Sequence, residues 1–126
     1  MSCGPFSSSL LTVIGCTLWW YGSFVLPTAA GADAEFFTAR VEPLLHSKCF
    51  DCHSHSAQSM EGGLALDSQS GWKTGGERGP AIVPGEPDDS LLVKAVRWGD
   101  PDLQMPPDEK LTDDEISVLV EWIRQG

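Results

Sequence analysis

Cys49-Phe50-Asp51-Cys52-His53 is the stretch for which everything else in this sequence can be read as housing. Two thiols three positions apart, followed directly by a histidine, are what covalent attachment of a c-type haem requires. On that reading the thiols would add across the two haem vinyl groups as thioethers, and the His53 imidazole would bind the iron from one side. Two other readings stay open for the same letters. A C-x-x-C pair also serves as a redox disulfide or as half of a zinc site. For zinc, the remaining candidates around the pair are His46, His53 and His55, and no second cysteine pair follows downstream. A thioredoxin-like use wants a β-α-β pattern around the pair, and no strong strand precedes it.

Upstream of the motif the composition changes. No charged side chain occurs from Met1 to Gly31, and Leu10 to Leu26 is an apolar run that includes Trp19, Trp20, Tyr21 and Phe24. Small residues follow at Ala29-Ala30-Gly31-Ala32-Asp33-Ala34. Residues 1–34 therefore read as a secretory signal with cleavage after Ala32 or Ala34, although Lys and Arg are missing near the start. An apolar run of about 17 residues is also just long enough for an uncleaved membrane anchor. A third reading takes Val13-Ile14-Gly15-Cys16 as a lipobox, but the apolar run continues for ten residues beyond Cys16. Removal of the leader takes Cys3 and Cys16 with it, so Cys49 and Cys52 remain alone and no structural disulfide framework is available.

The rest, 35–126, is one small domain. A formal charge of −10, from 18 acids against 8 bases, argues against nucleic acid and for a partner with a basic patch. A domain of this size has a modest core. A covalently held haem supplies an apolar plate to pack against, and without it a poorly folded chain is expected.

Downstream and upstream of the motif, periodicity marks three main helices. Phe37, Val41, Leu44, Leu45 and Lys48 recur at three and four residue steps, predicting a helix from Glu35 to about Cys49. Pro43 predicts a kink or a fresh start within it. Phe36 and Phe37 are read as core or haem-packing residues. From Ser54 to Glu86 the chain is rich in Gly, Ser and Pro and reads as a long loop, with a short extended piece at Gly63-Leu64-Ala65-Leu66-Asp67. A loop of that length needs a function or a ligand to pack on. Trp72 in it is read as lying against the haem or, equally, as a partly exposed core residue. His55 is expected to face solvent or bond to backbone, too close to His53 to reach the far side of the iron.

A second helix is predicted over Pro87 to Trp98, with Pro87 in its first turn, Asp88 and Asp89 at the positive end of its dipole, Gly99 closing it, and Leu91, Leu92, Ala95 and Val96 buried. Arg97 is read as solvated by default, with pairing to a haem propionate as the alternative. The last helix is marked by Thr112 as cap and Glu115 completing a capping box, followed by the stripe Ile116, Leu119, Val120 and Ile123.

Between the last two helices lies Asp100-Pro101-Asp102-Leu103-Gln104-Met105-Pro106-Pro107. A c-type iron with histidine on one side commonly takes a methionine thioether on the other, which raises its potential. Met105 stands 52 residues beyond His53 on a stretch that two prolines keep from becoming helix, a separation that allows the chain to wrap around a haem. The plain alternative is a loop methionine filling a gap. Met60, seven residues past His53, is expected on the proximal side or at the edge.

With these stretches in hand, the chain resembles the cytochrome c superfamily and, more narrowly, the planctomycete-type cytochrome c domain. The likeness runs from about Phe36 to Gly126 and includes Gly62-Gly63-Leu64-Ala65-Leu66-Asp67, Gly79-Pro80-Ala81-Ile82-Val83-Pro84-Gly85 and Ser90-Leu91-Leu92. The resemblance implies a small all-α fold of about three main helices wrapped around one covalently bound haem c, with a long Gly/Pro-rich loop. It implies thioethers at Cys49 and Cys52, and iron ligation by His53 and Met105. In similar proteins this domain often begins a longer chain, so further domains beyond Gly126 are an open expectation.

The function expected is single-electron transfer by an exported, periplasmic or cell-envelope haem protein that is not an enzyme. The alternatives are a haem-based sensor with an open distal site and a haem-free C-x-x-C thiol oxidoreductase. No Ser-His-Asp set, paired catalytic carboxylates or phosphate-cradling Gly-rich loop followed by Lys-Ser/Thr stands out.

Overall fold

The computed structural model describes residues 29–126, with side chains from residue 33 onward. The expected apolar leader from Leu10 to Leu26, with Cys16, lies outside the described residues. Helix α1 (Ala29–Phe36), a π-helical turn (Phe37–Val41) and α2 (Glu42–Lys48) run one into the next. Helix α1 begins ahead of the boundary expected between residues 34 and 35. The π turn explains how Pro43 is accommodated. The Glu42 N–H reaches back to the Phe37 carbonyl, and Pro43 then enters in the first turn of α2, where its missing N–H costs nothing. The kink or fresh start expected at Pro43 takes the form of a change from π- to α-helical bonding, with the backbone helical through Val41 and Glu42.

Helix α3 (Gln69–Thr74) lies inside the stretch expected to be only loop. Its six residues include Ser70 and Gly71, which are poor helix formers, so tertiary contacts support it. The Ser68 hydroxyl caps it by accepting from the Gly71 N–H at 3.1 Å. Trp72 packs edge-on to Trp122, ring centroids 5.9 Å apart. A side chain at Gly71 would collide with the Ala65 carbonyl, so only glycine permits this close approach. The extended piece at 63–67 finds no partner strand. Leu64 is extended (φ −98°, ψ 124°), and the Leu66 N–H donates to the His53 carbonyl at 2.8 Å. Among the described residues only an isolated bridge, Gly76 to Gly79, has β character.

Helix α4 spans Leu91–Val96, shorter than the expected 87–98. The helix-start letters Pro87, Asp88 and Asp89 lie in turns instead. The reason is Ser90, fully buried, whose hydroxyl accepts from the Val83 N–H and donates to the Glu86 carbonyl, each at 2.9 Å. Those bonds stitch 83–90 into a turn before the helix begins. Val93 is buried with Leu92, Ala95 and Val96, while Leu91, expected among them, is half-buried, and the left-handed residue after the helix is Trp98 (φ 58°), not Gly99. Helix α5 (Asp113–Gln125) is as expected, with both bonds of the Thr112–Glu115 capping box formed.

The core gathers Val41, Leu45, Val93, Val96, Leu119 and Ile123 from the first helical run, α4 and α5. Phe37 meets Trp122 at 5.4 Å between centroids, so α5 packs against the π turn. Among the described residues the architecture is helical without strands, and no helix is long and apolar enough to cross a membrane.

Candidate functional site

Helix α2 ends by handing its last carbonyls to the motif. The Cys49 and Phe50 amides both donate to the Leu45 carbonyl, at 2.8 and 3.0 Å. The amides of Cys52 and His53 then donate to the Cys49 carbonyl at 3.2 and 2.8 Å, curling residues 49–53 into a tight turn. This turn brings both thiols and the imidazole to one side of the chain end.

Cys49, Cys52 and His53 line a cavity of about 560 Å³, and Met105 lines the same cavity. Most of the remaining wall is apolar, with Leu66, Leu92 and Val96 among it, while Lys48 and Arg78 supply cationic side chains. The size falls within the roughly 300–1,000 Å³ typical of cofactor sites. All four residues singled out in the sequence are therefore brought together, although 52 residues separate His53 from Met105.

The Met105 segment is tied down by bonds the sequence did not signal. The Met105 N–H donates to the Ala95 carbonyl at 3.2 Å, and the Met105 carbonyl accepts from Trp98 Nε1 at 3.2 Å. Arg78 Nη2 donates to the Asp102 carbonyl at 3.0 Å, joining the Gly-rich loop to this segment. Nothing in the local letters announces these partners, since each contact forms across a folded loop.

Two features of the donor set bear on its chemistry. Burial, with a smaller contribution from Cys52 beside it, pushes the Cys49 thiol up to about 11. A thiol redox centre needs the opposite shift, toward thiolate at neutral pH, so the thiol oxidoreductase reading is disfavoured. The Nδ1 of His53 is buried without a hydrogen-bond partner. An orphaned imidazole nitrogen is a cost in a chain folded for its own sake and fits a ring held in place by ligation. The residues present thus fit a covalently bound haem.

The other candidates fall elsewhere. His55 is exposed, as expected, but it bonds a side chain: its Nδ1 pairs with Asp67 Oδ1 at 2.7 Å, and its backbone N–H donates to Asp67 Oδ2 at 2.8 Å. Burial pushes the Asp67 carboxyl up, yet the bonds from His55 outweigh it and hold the group below its usual value. Met60 lines a separate shallow groove with His55. His46 packs against the Phe50 ring. Among the described residues no three His, Cys, Asp or Glu side chains gather to hold a metal ion. Trp72 is half-buried against the core, and Arg97 pairs with Asp88 at 2.7 Å on the surface.

Residues 49–109 match a family model described as Planctomycete cytochrome C, a stretch that holds Cys49, Cys52, His53 and Met105. No curated protein and no solved structure matches the chain.

Proposed function

Because residues 49–109 carry a planctomycete-type cytochrome c domain, we propose that the chain carries single electrons through one covalently attached haem c, with His53 and Met105 as axial ligands. The observation that carries this reading is the shared cavity: both thiols, the imidazole and the thioether line one mostly apolar space. Haem c, when bound, supplies a one-electron Fe(III)/Fe(II) couple.

The chain's own residues do the rest. Cys49 and Cys52 would hold the group through thioethers, and Cys49 stays a neutral thiol until then. His53 would ligate from the 49–53 turn. The Met105 thioether would close the remaining axial position to small molecules. Leu66, Leu92 and Val96 exclude water from the site, and a dry surrounding disfavours the more highly charged ferric state, which raises the potential. Lys48 and Arg78 are the cations on the cavity wall that would meet the haem carboxylates. Export to the periplasm or cell envelope follows from the uncharged apolar leader, by cleavage or with the leader retained as an anchor. The charge of −10 supports a redox partner with a basic patch.

The test is co-expression with a c-type maturation system, followed by denaturing mass analysis and a reduced pyridine haemochrome spectrum. Haem mass retained on denaturation, with a c-type spectrum, supports both thioethers; its absence sinks the reading. Met105→Ala then tests the distal ligand. The ferric protein is expected to lose its methionine-to-iron absorption band and its high potential, and the reduced variant to take up carbon monoxide that the parent refuses. A parent that binds carbon monoxide readily at neutral pH would favour the sensor instead.

A further inference from the structure

We propose that Trp98 is the positioning residue that holds Met105 at the cavity, an inference that rests on Met105 being the distal ligand. Two independent observations carry it. The peptide groups on both sides of the Met105 α-carbon are clamped to the end of α4: the N–H to the Ala95 carbonyl and the C=O to the Trp98 indole N–H, each at 3.2 Å. A methionine held at both peptide bonds has little freedom left except in its side chain, so the thioether is presented from a fixed base.

The second observation is backbone strain. Trp98 has φ of 58°, the left-handed region, where a side chain crowds the following carbonyl and a bulky residue is an outlier. Gly99 stands next in the chain and would adopt that conformation without penalty. The chain puts the strain on the tryptophan instead. Strain of this kind persists where the surroundings over-determine it, and it collects at ligand clamps. From this conformation the indole N–H reaches seven residues ahead to Met105. Trp98 does not line the cavity itself, so it acts through Met105.

The experiment uses the haem-loaded protein and reads the equilibrium affinity of the ferrous form for carbon monoxide. The gas binds only the fraction in which Met105 has let go, so apparent affinity scales with that fraction. Trp98→Phe removes the donor. It is expected to raise the affinity roughly fivefold, the factor carried by one neutral hydrogen bond, with the covalent haem mass unchanged. Trp98→Gly removes the indole while relieving the left-handed backbone, so it gives the same rise and decides the matter where Trp98→Phe does not fold. In a Met105→Ala background Trp98→Phe is expected to change nothing, since the residue it positions is gone.

Parent-like affinity in both single variants overturns the inference. So does a Trp98→Phe effect that persists beside Met105→Ala, which a merely structural role would produce. Failure of the underlying reading shows separately, as a Met105→Ala protein that takes up carbon monoxide no better than the parent; that result overturns both.

Discussion

The two segments that meet at the cavity are held by different means. In the 49–53 turn, the amides of Cys49, Phe50, Cys52 and His53 all donate to carbonyls within five residues. Around Met105 the partners are Ala95 and Trp98 at the end of α4, and Arg78 reaches Asp102 across 24 residues. Near bonds need little chain to be closed, whereas distant ones form only once intervening loops have been ordered. The thiol and imidazole side of the site is therefore built by one helix and its end. The methionine side exists only when α4 and the Gly-rich loop are already in place, and it is the side expected to open first.

The largest test of that contrast is the chain expressed without haem attachment. The cavity walls from α2, α4 and the loop would then have no apolar group to pack on, and the cooperative thermal transition followed by circular dichroism is expected to disappear. A sharp transition in the haem-free chain would break the picture, because it would mean that the Met105 side assembles by itself. Next in size is Leu119→Ala in the haem-loaded protein. Leu119 is fully buried in the cluster shared by α4 and α5, so denaturant unfolding should show a loss of about 2–5 kcal/mol. Amide exchange is expected to speed up at Met105 more than at His53; equal loss at both would erase the distinction.

Arg78→Met should have a smaller effect, a loss of about 1 kcal/mol or less from the Asp102 carbonyl returning to water. Exchange at Met105 is the sensitive readout, with His53 unmoved. The smallest effect belongs to Glu115 at the start of α5. The Thr112 N–H, against some burial and helped by the Thr112 hydroxyl and Lys48, holds its carboxyl below the usual 4.5. A depressed value means the ionised group stabilises the fold fully above pH 4.5, and that contribution is lost as pH falls through the folded-state value. Glu115→Gln is thus expected to cost roughly a few tenths of a kcal/mol near neutrality, since solvent reaches the half-buried carboxylate, and nothing in acid. A penalty that grows on acidification would reverse the sign of this argument.

What was legible in the letters follows the same division. Thr112 and Glu115 announce α5 because a capping box is a contact between residues three apart. Pro43 announces the change from π- to α-helical bonding in the first helical run for an equally local reason, its missing N–H. The start of α4 was misplaced because Pro87, Asp88 and Asp89 carry helix-start chemistry, whereas the deciding contact is the Ser90 hydroxyl bound to Val83 and Glu86. Helix α3 was not visible at all, since Gly71 and Ser70 argue against it and Trp122, 50 positions from Trp72, argues for it. Met105 could be named as a candidate by residue type, but Ala95, Trp98 and Arg78 as its supports could not.

The attachment motif, the ends of α5 and the first-turn place of Pro43 are legible in the letters alone, because bonds between near neighbours are decided by the residues that make them. Where Met105 sits, which residue bears the left-handed turn, and that the four candidate residues share one cavity are visible only in the packed molecule. Those depend on closing loops of tens of residues, and which closure wins is set by the burial of Val93, Val96 and Leu119 together rather than by any letter in the loops.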